Sequence, residues 1–318
     1  MSLNEFSLIE RYFTNIGSSK FPAILSLGDD AAVVNVPDGM QAVMSMDTLI
    51  SGVHFPAQTS AADIAGKALA VNLSDLAAMA ATPAWFLLSL SIPEFDKTWL
   101  QAFSDSLKSS AERYQVELIG GDTCRGPLSV TVQVTGLVEC GRQVTRDGAR
   151  PGDRIMVSGT LGNASLGLAQ LQQQIKLPET IRGNCESALN RPIPRLELID
   201  FLSRHASAAI DLSDGLVGDL GHILRSSGVG ACIRQARLPV CDWIVENEAY
   251  QHALSGGDDY ELCFTLPRKN SAAVAQWNLH NPDCRLTEIG EITDSGYTLI
   301  DGSKAIDLND WHGYRHFD

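Results

Sequence analysis

Three polar side chains that could carry chemistry lie close together in the second half of the chain: Asp211, Ser213 and Asp214. The apolar residues before them predict the end of a buried strand, and apolar residues at helical spacing from Leu216 onward predict a helix. The three side chains are therefore expected in the turn between strand and helix. A helix N-terminus favours anionic partners, so Ser213 and Asp214 could simply cap the helix. Capping and ligand binding are both open at this point.

Other aspartates stand next to predicted strand ends. Asp30 lies in a GDD turn that is expected to feed a β-branched strand, Asp47 follows a strand that is apolar as far as Ser45, and Asp122 follows two glycines in LIGGDT. Open α/β sheets bind ligands outside the ends of their strands, so these acids and Asp211 could share one cleft. Each position taken alone could also be an ordinary solvated turn.

A further aspartate, Asp75, interrupts an apolar helix predicted for residues 60–81. At about 100° per residue it falls on one stripe with Asn72, in a helix that is apolar almost all round. A buried carboxylate must be paired, protonated or bound to a metal ion, because desolvating it alone costs several kcal/mol. The pattern therefore favours a functional role for Asp75.

Carboxylates gathered at this density would repel one another unless cations lay between them. Oxygen-only ligands suit hard divalent ions, and Mg²⁺ commonly bridges carboxylates to substrate phosphates. Such a site predicts phosphoryl transfer, in which the protein mainly positions two phosphates and neutralises charge. The sequence contains neither GxxxxGKS/T nor GxGxxG, and no Ser–His or Cys–His nucleophile pattern is recognisable.

The composition is that of an ordinary globular protein, with 318 residues of which 44% are hydrophobic, enough for two domains. A net charge of −14, from 38 acidic and 24 basic residues, argues against nucleic acid as a partner. The first residues lack the pattern of a signal peptide, and no segment is apolar enough to cross a bilayer. Seven scattered cysteines without a CxxC pair indicate reduced thiols, so we expect a cytoplasmic protein.

Helices and strands alternate along the first half of the chain, as an α/β fold requires. Apolar spacing predicts a helix at 3–16, a strand before Asp47, the helix at 60–81, a strand at 84–92, a helix at 97–114, a strand ending in LIGGDT and a strand at 129–139.

A second domain is expected to begin near Pro151 and Gly152, which interrupt this pattern. A charged and flexible stretch is predicted at 178–190, before the strand that leads to Asp211. The predicted fold class is α/β (α+β), with an N-terminal domain of residues 1–148 and a C-terminal α/β domain of residues 149–318.

Seven motifs, taken in order, resemble those of the thiamine-monophosphate kinase family, part of the aminoimidazole ribonucleotide synthetase-like superfamily. They are EFSLIERYF at the start, GDD at 28–30, MDTLISGVHF, KALAVNLSDLAAM, LIGGDT, SAAIDLSDGL followed by DLGHI, and LSGGDDYELCF. Each motif alone is weak evidence for the family, but their combination and order are specific to it. Together the motifs extend over nearly the whole chain.

The resemblance implies that ATP gives its γ-phosphate directly, in line, to the terminal phosphate of thiamine monophosphate, which yields thiamine diphosphate and ADP. It implies several Mg²⁺ ions. It also implies a homodimer, in which the N-terminal domain binds metal and ATP and joins its sheet to that of a partner. The C-terminal domain is implied to close the active site.

The resemblance also implies roles for single residues. Those that resemble the magnesium shell are Asp30, Ser45, Met46 (main chain only), Asp47, Asp75, Asp122, Asp211 and Asp214. Those that resemble nucleotide contacts are Gly121, Asp122, Arg146 and Ser213. Those that resemble thiamine-side contacts are His54, Asp258 and Trp311, whose indole offers a face to a cationic ring. Whether Asp211 also handles a proton is left open.

Two positions depart from the pattern of the family. Family members commonly have threonine at the position of Met46, so a metal contact there survives only through the main-chain carbonyl. They commonly have glutamate at the position of Asp258, where the shorter side chain keeps the charge but puts the substrate contact in doubt.

Two other interpretations are open. A selenophosphate synthetase or a purine-pathway synthetase of the same superfamily is the nearest, although a selenophosphate synthetase is expected to carry a reactive cysteine near the N-terminus, and the first cysteine here is Cys124. A non-enzymatic calcium-binding protein could use the same aspartates as a structural clamp, but the sequence has no EF-hand loop and calcium alone does not explain Arg146.

Overall fold

The structure, a computed structural model, describes residues 5–311 and Gly313. Its contacts divide the chain into two compact units. The first holds the described residues up to Leu76 together with Ala81–Arg142, and the second holds Ala77–Ala80 and the described residues from Gln143 onward. Each unit contains helices and one sheet, which confirms the predicted α/β class. The exact boundary predicted after residue 148 stays a prediction.

The first unit is built on a four-stranded sheet. Its elements are α1 (Glu5–Tyr12), β1 (Met40–Ile50), α2 (Ala61–Ala78, in this unit as far as Leu76), β2 (Thr82–Ile92), α3 (Lys97–Tyr114), β3 (Glu117–Arg125) and β4 (Ser129–Glu139). The strand order is β1-β4-β2-β3, antiparallel except for the parallel pair β2 and β3. The strand β1 therefore lies at one edge of the sheet and β3 at the other.

The two faces of this sheet differ in cover. Residues directly opposite each other on paired strands point to the same face, so Ser45, Val134 and Phe86 form one row, and Val134 and Phe86 are fully buried. We call this the covered face. The next row points the other way and includes Met46 and Leu87, which are 63% and 38% exposed. We call that the open face.

The second unit is built on a seven-stranded sheet of order β11-β10-β7-β9-β5-β8-β6, with β7 and β10 parallel and the other neighbours antiparallel. Its elements are β5 (Arg154–Ser158), α4 (Asn163–Leu171), α5 (Glu179–Asn190), α6 (Ile199–His205), β6 (Ala208–Asp211), α7 (Leu216–Ser227), β7 (Gly230–Arg234), α8 (Asp242–Glu246), α9 (Gln251–Leu254), β8 (Leu262–Leu266), α10 (Ser271–His280), β9 (Leu286–Thr293), β10 (Tyr297–Asp301) and β11 (Lys304–Asp307).

The strand β6 lies at one edge of this sheet, yet it is buried on both faces. Along β6, Ile210 packs into one apolar cluster with Leu216 and Leu220 of α7, while its neighbour Ala209 packs into another with Phe201 of α6. Alternate strand residues thus feed two cores, as the period of two in a strand requires. The helix α7 is held against the sheet on one side, which places the residues before it at the end of β6.

Three expectations about local structure are wrong. The stretch at 178–190, predicted as charged and flexible, is mostly the helix α5, because Cys185 and Leu189 recur at helical spacing and are buried. The β-branched run after the GDD turn forms no strand: its pairing is limited to an isolated bridge between Leu25 and Val33. The first helix ends at Tyr12, earlier than predicted.

Among the described residues, no helix combines the length and the apolar character that a membrane span needs.

Candidate active site

The first unit joins Ser45 to Asp75. Ser45 points to the covered face of the sheet, and its Oγ donates a hydrogen bond of 2.6 Å to Oδ2 of Asp75 on α2. Asp75 is half-buried, so the expectation of a fully desolvated carboxylate is wrong: the stripe of α2 that carries it is incompletely covered. A cation could therefore approach this carboxylate from solvent.

The neighbouring side chain of α2 holds the main chain of β1. Asn72 is fully buried, its Nδ2 donates to the carbonyl of Ala68 at 2.9 Å, and its Oδ1 accepts the N–H of Asp47 at 3.0 Å. Asp47 points to the same face as Ser45. Because its N–H bonds to α2, the alternation of an antiparallel ladder turns the carbonyl of Met46 toward β4, which disfavours the main-chain metal contact predicted there.

Asp122 lies on the opposite side of the sheet from Ser45. It pairs with Ser89 of β2 in a row of the open face, and its side chain is exposed. Asp47 and Asp122 both lie inside strands, so the expectation that they follow strand ends is wrong. The sheet alternation, rather than a shared strand end, decides which acids of this unit meet.

Gly121 needs to be glycine for two reasons. Its φ is +155°, and a Cβ at this position would lie 1.9 Å from the carbonyl oxygen of Leu88. The main chain before Asp122 therefore crowds against β2 in a way that a side chain would prevent.

Two other predicted residues of the first unit lie in loops. Asp30 is exposed, and its N–H bonds to Oδ1 of Asp29 at 2.8 Å. The Nδ1 of His54 accepts the N–H of Ile50 at 3.0 Å, while its carbonyl accepts a 3.4 Å bond from Nζ of Lys67. With Nδ1 used as an acceptor, a neutral His54 carries its proton on Nε2.

In the second unit, the turn after β6 and the loop before β8 extend the pairing of those two strands. Asp211 is the last residue of β6 and is buried, so it lies in the strand and not, as expected, in the turn. Three main-chain bonds continue the ladder beyond it: Leu212 N–H to Glu261 at 2.8 Å, Tyr260 N–H to Leu212 at 2.8 Å, and Asp258 N–H to Ser213 at 2.9 Å. The structure thus brings Asp211, Ser213 and Asp258 together.

The turn between β6 and α7 is capped by a residue that the sequence reasoning missed. The N-cap of α7 is Gly215, which has no side chain, so of the two alternatives left open the cap by Ser213 or Asp214 is not the one observed at that position. Instead Oδ2 of Asp219 reaches back and accepts the N–H groups of Asp214 and Gly215 at 3.0 and 3.1 Å. The motif DLGHI contains Asp219 five residues after Asp214, which was the available signal.

The charge of Asp219 is affected by its surroundings. Its pKa is raised to about 7: burial and then the negative charge of Asp214 raise it, while the two N–H bonds and the cationic Arg146 partly oppose the rise. Arg146 is exposed. The pKa of His222 is lowered mainly by burial, then by the positive charge of Arg225, and to a smaller extent by that of Arg146. Asp214, Asp219 and Arg146 therefore interact electrostatically within the second unit.

A cavity of about 720 Å³ adjoins α7 in the second unit. Asp214, His222, Arg225 and Trp311 are among its lining residues, and Trp311 is 37% exposed. The cavity is therefore lined by a carboxylate, a guanidinium group, an imidazole and an indole. The volume is sufficient for a drug-sized ligand.

A buried network supports the loop that carries Asp258. The carboxylate of Glu261 accepts bonds from Nε of Arg195 at 2.7 Å and from Oγ of Ser158 at 2.5 Å, and Arg195 also donates to it through Nη2. Asp259 accepts the N–H of Gly162 at 2.8 and 3.0 Å. No role was predicted for these residues from the sequence, although Asp259 and Glu261 stand in the GGDDYE run beside Asp258.

The donor chemistry at both positions suits a hard cation. Ser45 and Asp75 in the first unit, and Asp211 and Asp214 in the second, offer oxygen atoms only, as Mg²⁺ prefers. Within residues 5–311 and Gly313, however, no three His, Cys, Asp or Glu side chains of the structure form a group that could hold a metal ion. The residues of each unit therefore fit the ion in the kind of donor atom that they offer.

Comparisons with known proteins agree with these features. Residues 28–138 match the AIR synthase related protein, N-terminal domain, and residues 150–302 match its C-terminal domain. The chain is 47% identical to thiamine-monophosphate kinase of Escherichia coli (strain K12) over 326 aligned positions, which cover 100% of this chain and 99% of the relative.

Solved structures give the same result. Thiamine-monophosphate kinase from Stenotrophomonas maltophilia K279a superposes with a TM-score of 0.82 at 44% identity, over 87% of this chain and 90% of that one. AaThiL complexed with AMPPCP and TMP superposes with a TM-score of 0.77 at 32% identity, over 92% of each chain. Full-length identity of this size, on a shared two-domain fold, shows that the chain belongs to the thiamine-monophosphate kinase family.

Proposed function

We propose that this protein transfers the γ-phosphoryl group of ATP in line to the phosphate of thiamine monophosphate, forming thiamine diphosphate and ADP. The observation that carries this proposal is the full-length identity to thiamine-monophosphate kinases, together with the likeness to AaThiL complexed with AMPPCP and TMP. The carboxylates around Ser45 and around Asp214 supply the acidic, oxygen-rich surroundings that such a transfer needs.

The proposed roles of the residues follow the sequence expectations. Mg²⁺ would be held by Asp30, Ser45, Asp47, Asp75, Asp211 and Asp214, ATP would be contacted by Gly121, Asp122, Arg146 and Ser213, and the thiamine side by His54, Asp258 and Trp311. The expected metal role of Asp122 is left out, because its side chain lies on the other face of the first sheet from Ser45. When bound, Mg²⁺ supplies neutralisation of the phosphate charges. Met46 is the weakest member of the expected set, because its carbonyl is directed toward β4.

The protein's own contribution is to position two phosphates and to offset their repulsion. Arg146 is exposed and always charged, so it can pair with phosphate oxygens that approach the turn at Ser213. The acceptor is a phosphate oxygen, which is already largely ionised at neutral pH because the second phosphate pKa is about 6. No side chain is then needed to remove a proton, and we assign Asp211 to charge positioning rather than to base catalysis.

The thiamine side of the substrate suits the cavity beside α7. A cationic heteroaromatic ring is attracted to the face of an indole, and Trp311 lines that cavity together with Asp214. The charge of Asp258 is retained, in a loop whose main chain is bonded to Ser213.

We also propose that the protein is a homodimer that pairs through the open face of the first sheet. Met44, Met46 and Leu87 are 68%, 63% and 38% exposed on that face, and large apolar side chains with this exposure favour burial against a partner. Asp122 shares the face, so pairing would carry the Asp122 of each chain into the interface.

The dimer is tested by Met46→Glu with Leu87→Glu in one chain, measured by sedimentation velocity. We expect a monomer, whereas Val245→Glu, at an exposed apolar position on α8, should leave a dimer. A wild-type protein that sediments as a monomer at micromolar concentration would contradict the proposal.

The activity is tested with purified protein, ATP and Mg²⁺ against a panel of phosphorylated acceptors, with ADP and thiamine diphosphate measured separately. We expect diphosphate to form only from thiamine monophosphate. ATP turnover on a different phosphorylated acceptor, with no thiamine diphosphate, would favour another enzyme of the superfamily.

All seven cysteines are free, which fits the reducing, ATP-containing cytoplasm that we propose as the location.

A further inference from the structure

Asp219 occupies a position that would ordinarily favour an apolar or small residue. It lies in the first turn of α7, is 3% exposed, and has the apolar residues Leu216, Val217 and Leu220 as buried neighbours on the same helix. Desolvating a carboxylate is costly unless strong bonds offset the loss. A carboxylate at this position therefore calls for an explanation beyond packing.

The bonds of Asp219 go to one place. Both N–H groups that it accepts, at 3.0 and 3.1 Å, belong to Asp214 and Gly215, in the turn that precedes its own helix. Helical side chains tilt toward the N-terminus, which is why a residue one turn into α7 can reach back to this turn.

The turn is confined from its other side as well. Gly215 has φ of +109°, and a Cβ there would lie 2.8 Å from the carbonyl carbon of Ser255 and 3.0 Å from the carbonyl oxygen of Gly256. The carbonyl of Ser213 accepts the N–H of Asp258. The backbone at 213–215 is thus gripped between the loop before β8 and the carboxylate of Asp219, and neither contact uses the side chains of Ser213 or Asp214.

We propose that Asp219 is a positioning residue, which fixes the main chain at Asp214 and Gly215 so that the side chains of Ser213 and Asp214 stay directed toward the nucleotide and the cation. This inference rests on the proposed function for the roles of those two side chains. Asp219 itself touches no substrate. It acts through the two N–H bonds from the main chain of the turn, at Asp214 and Gly215.

A matched control exists in the same unit. Asp153 is also buried, at 7% exposure, and its Oδ2 accepts the N–H of Arg150 at 3.1 Å and a 2.6 Å bond from Oγ of Ser207. It therefore shares with Asp219 the burial and the bond to a turn, but none of its recorded partners is a residue to which we assign a role. Asp153→Ala measures what the loss of such a buried carboxylate costs in stability alone.

The test compares Asp219→Ala, Asp219→Asn and Asp153→Ala by Mn²⁺ titration with electron paramagnetic resonance, by kcat and KM for ATP, and by thermal unfolding. We expect Asp219→Ala to weaken Mn²⁺ binding and to lower kcat by roughly tenfold to a hundredfold, the range seen when a partner of a metal ligand is lost. Asp219→Asn keeps one acceptor oxygen, so we expect an intermediate effect. Asp153→Ala should change only the unfolding temperature.

Equal Mn²⁺ affinity and equal kcat per folded molecule in Asp219→Ala and Asp153→Ala would overturn the proposal, whatever their unfolding temperatures. If Asp219→Ala does not fold, the same comparison is made with Asp219→Asn, and wild-type Mn²⁺ affinity and kcat in that variant would overturn it. Failure of the proposed function is recognised separately, because the wild-type protein would then not form thiamine diphosphate, while the Mn²⁺ titration would still compare the variants.

Discussion

Oγ of Ser45 and Oδ2 of Asp75 lie 2.6 Å apart, and this bond links the edge strand β1 to the helix α2. It exists because Ser45 points to the covered face of the first sheet, while Met44 and Met46 on either side point to the open face. The hydroxyl thereby orients a half-exposed carboxylate that we assign to Mg²⁺.

Replacing Ser45 by alanine tests this orientation. We expect Ser45→Ala to raise the Mg²⁺ concentration needed for half-maximal activity by roughly tenfold or more, because a metal ligand and the partner of another are lost together. Thr48→Ala is the control, since Thr48 bonds to Thr131 at 2.8 Å on the opposite face of the same strand. An unchanged Mg²⁺ dependence in Ser45→Ala would remove Ser45 from the proposed site.

Asp75→Asn and Asp211→Asn test one proposed Mg²⁺ ligand in each unit. Each variant keeps the shape of the side chain but loses its negative charge, so we expect turnover to fall below detection while circular dichroism and the unfolding temperature stay near wild type. Normal activity in either variant would show that its carboxylate binds no essential cation.

Arg146→Ala tests the proposed contact with the phosphates of ATP. We expect kcat/KM for ATP to fall by at least about tenfold, because a charge-assisted hydrogen bond contributes about 1.5–3 kcal/mol. Arg146→Lys should recover only part of the loss, since an ammonium group cannot bind two oxygens in the same planar geometry. Arg150→Ala, also at an exposed arginine of the second unit, is the control and should match wild type.

Asp259 predicts a pH dependence of stability. Burial raises the pKa of this carboxyl well above its usual value, although the hydrogen bond that it accepts from the N–H of Gly162 lowers the pKa. Above about pH 4 an unfolded chain has released this proton while the folded chain still holds it, so wild-type stability should fall as pH rises through that window toward the folded pKa. Asp259→Asn has no such proton and should lose less stability over the same range.

Urea unfolding of both proteins between pH 4.5 and pH 8 gives the comparison, with the far-ultraviolet signal as the probe. Between about pH 4 and the pKa of Asp259 in the folded protein, the free energy of unfolding of the wild type should decline relative to that of the variant. The decline should be up to about 1.4 kcal/mol per pH unit. Parallel curves for the two proteins would mean that Asp259 is ionised in the folded state.

The amino-acid sequence by itself determined most of the local structure and the acidic character of the site. The predicted helix at 97–114 and the predicted strand at 129–139 have these bounds in the structure, because side-chain periodicity depends only on nearby residues. The aspartates that we assign to the cation were recognisable for the same reason, since their type and their place between apolar runs are local properties. The motif order was sufficient to identify the family.

Only the tertiary structure decided which of these residues meet. Period-two alternation places Ser45 and Asp47 on one face of β1, but the pairing register across β4, β2 and β3 is what puts Asp122 on the other face of the sheet. Asp219 shows the same limit: its sequence position does not reveal that it is buried and bonded to the turn at Asp214. Strand order and burial arise from contacts between residues far apart in the chain, and local periodicity carries no information about them.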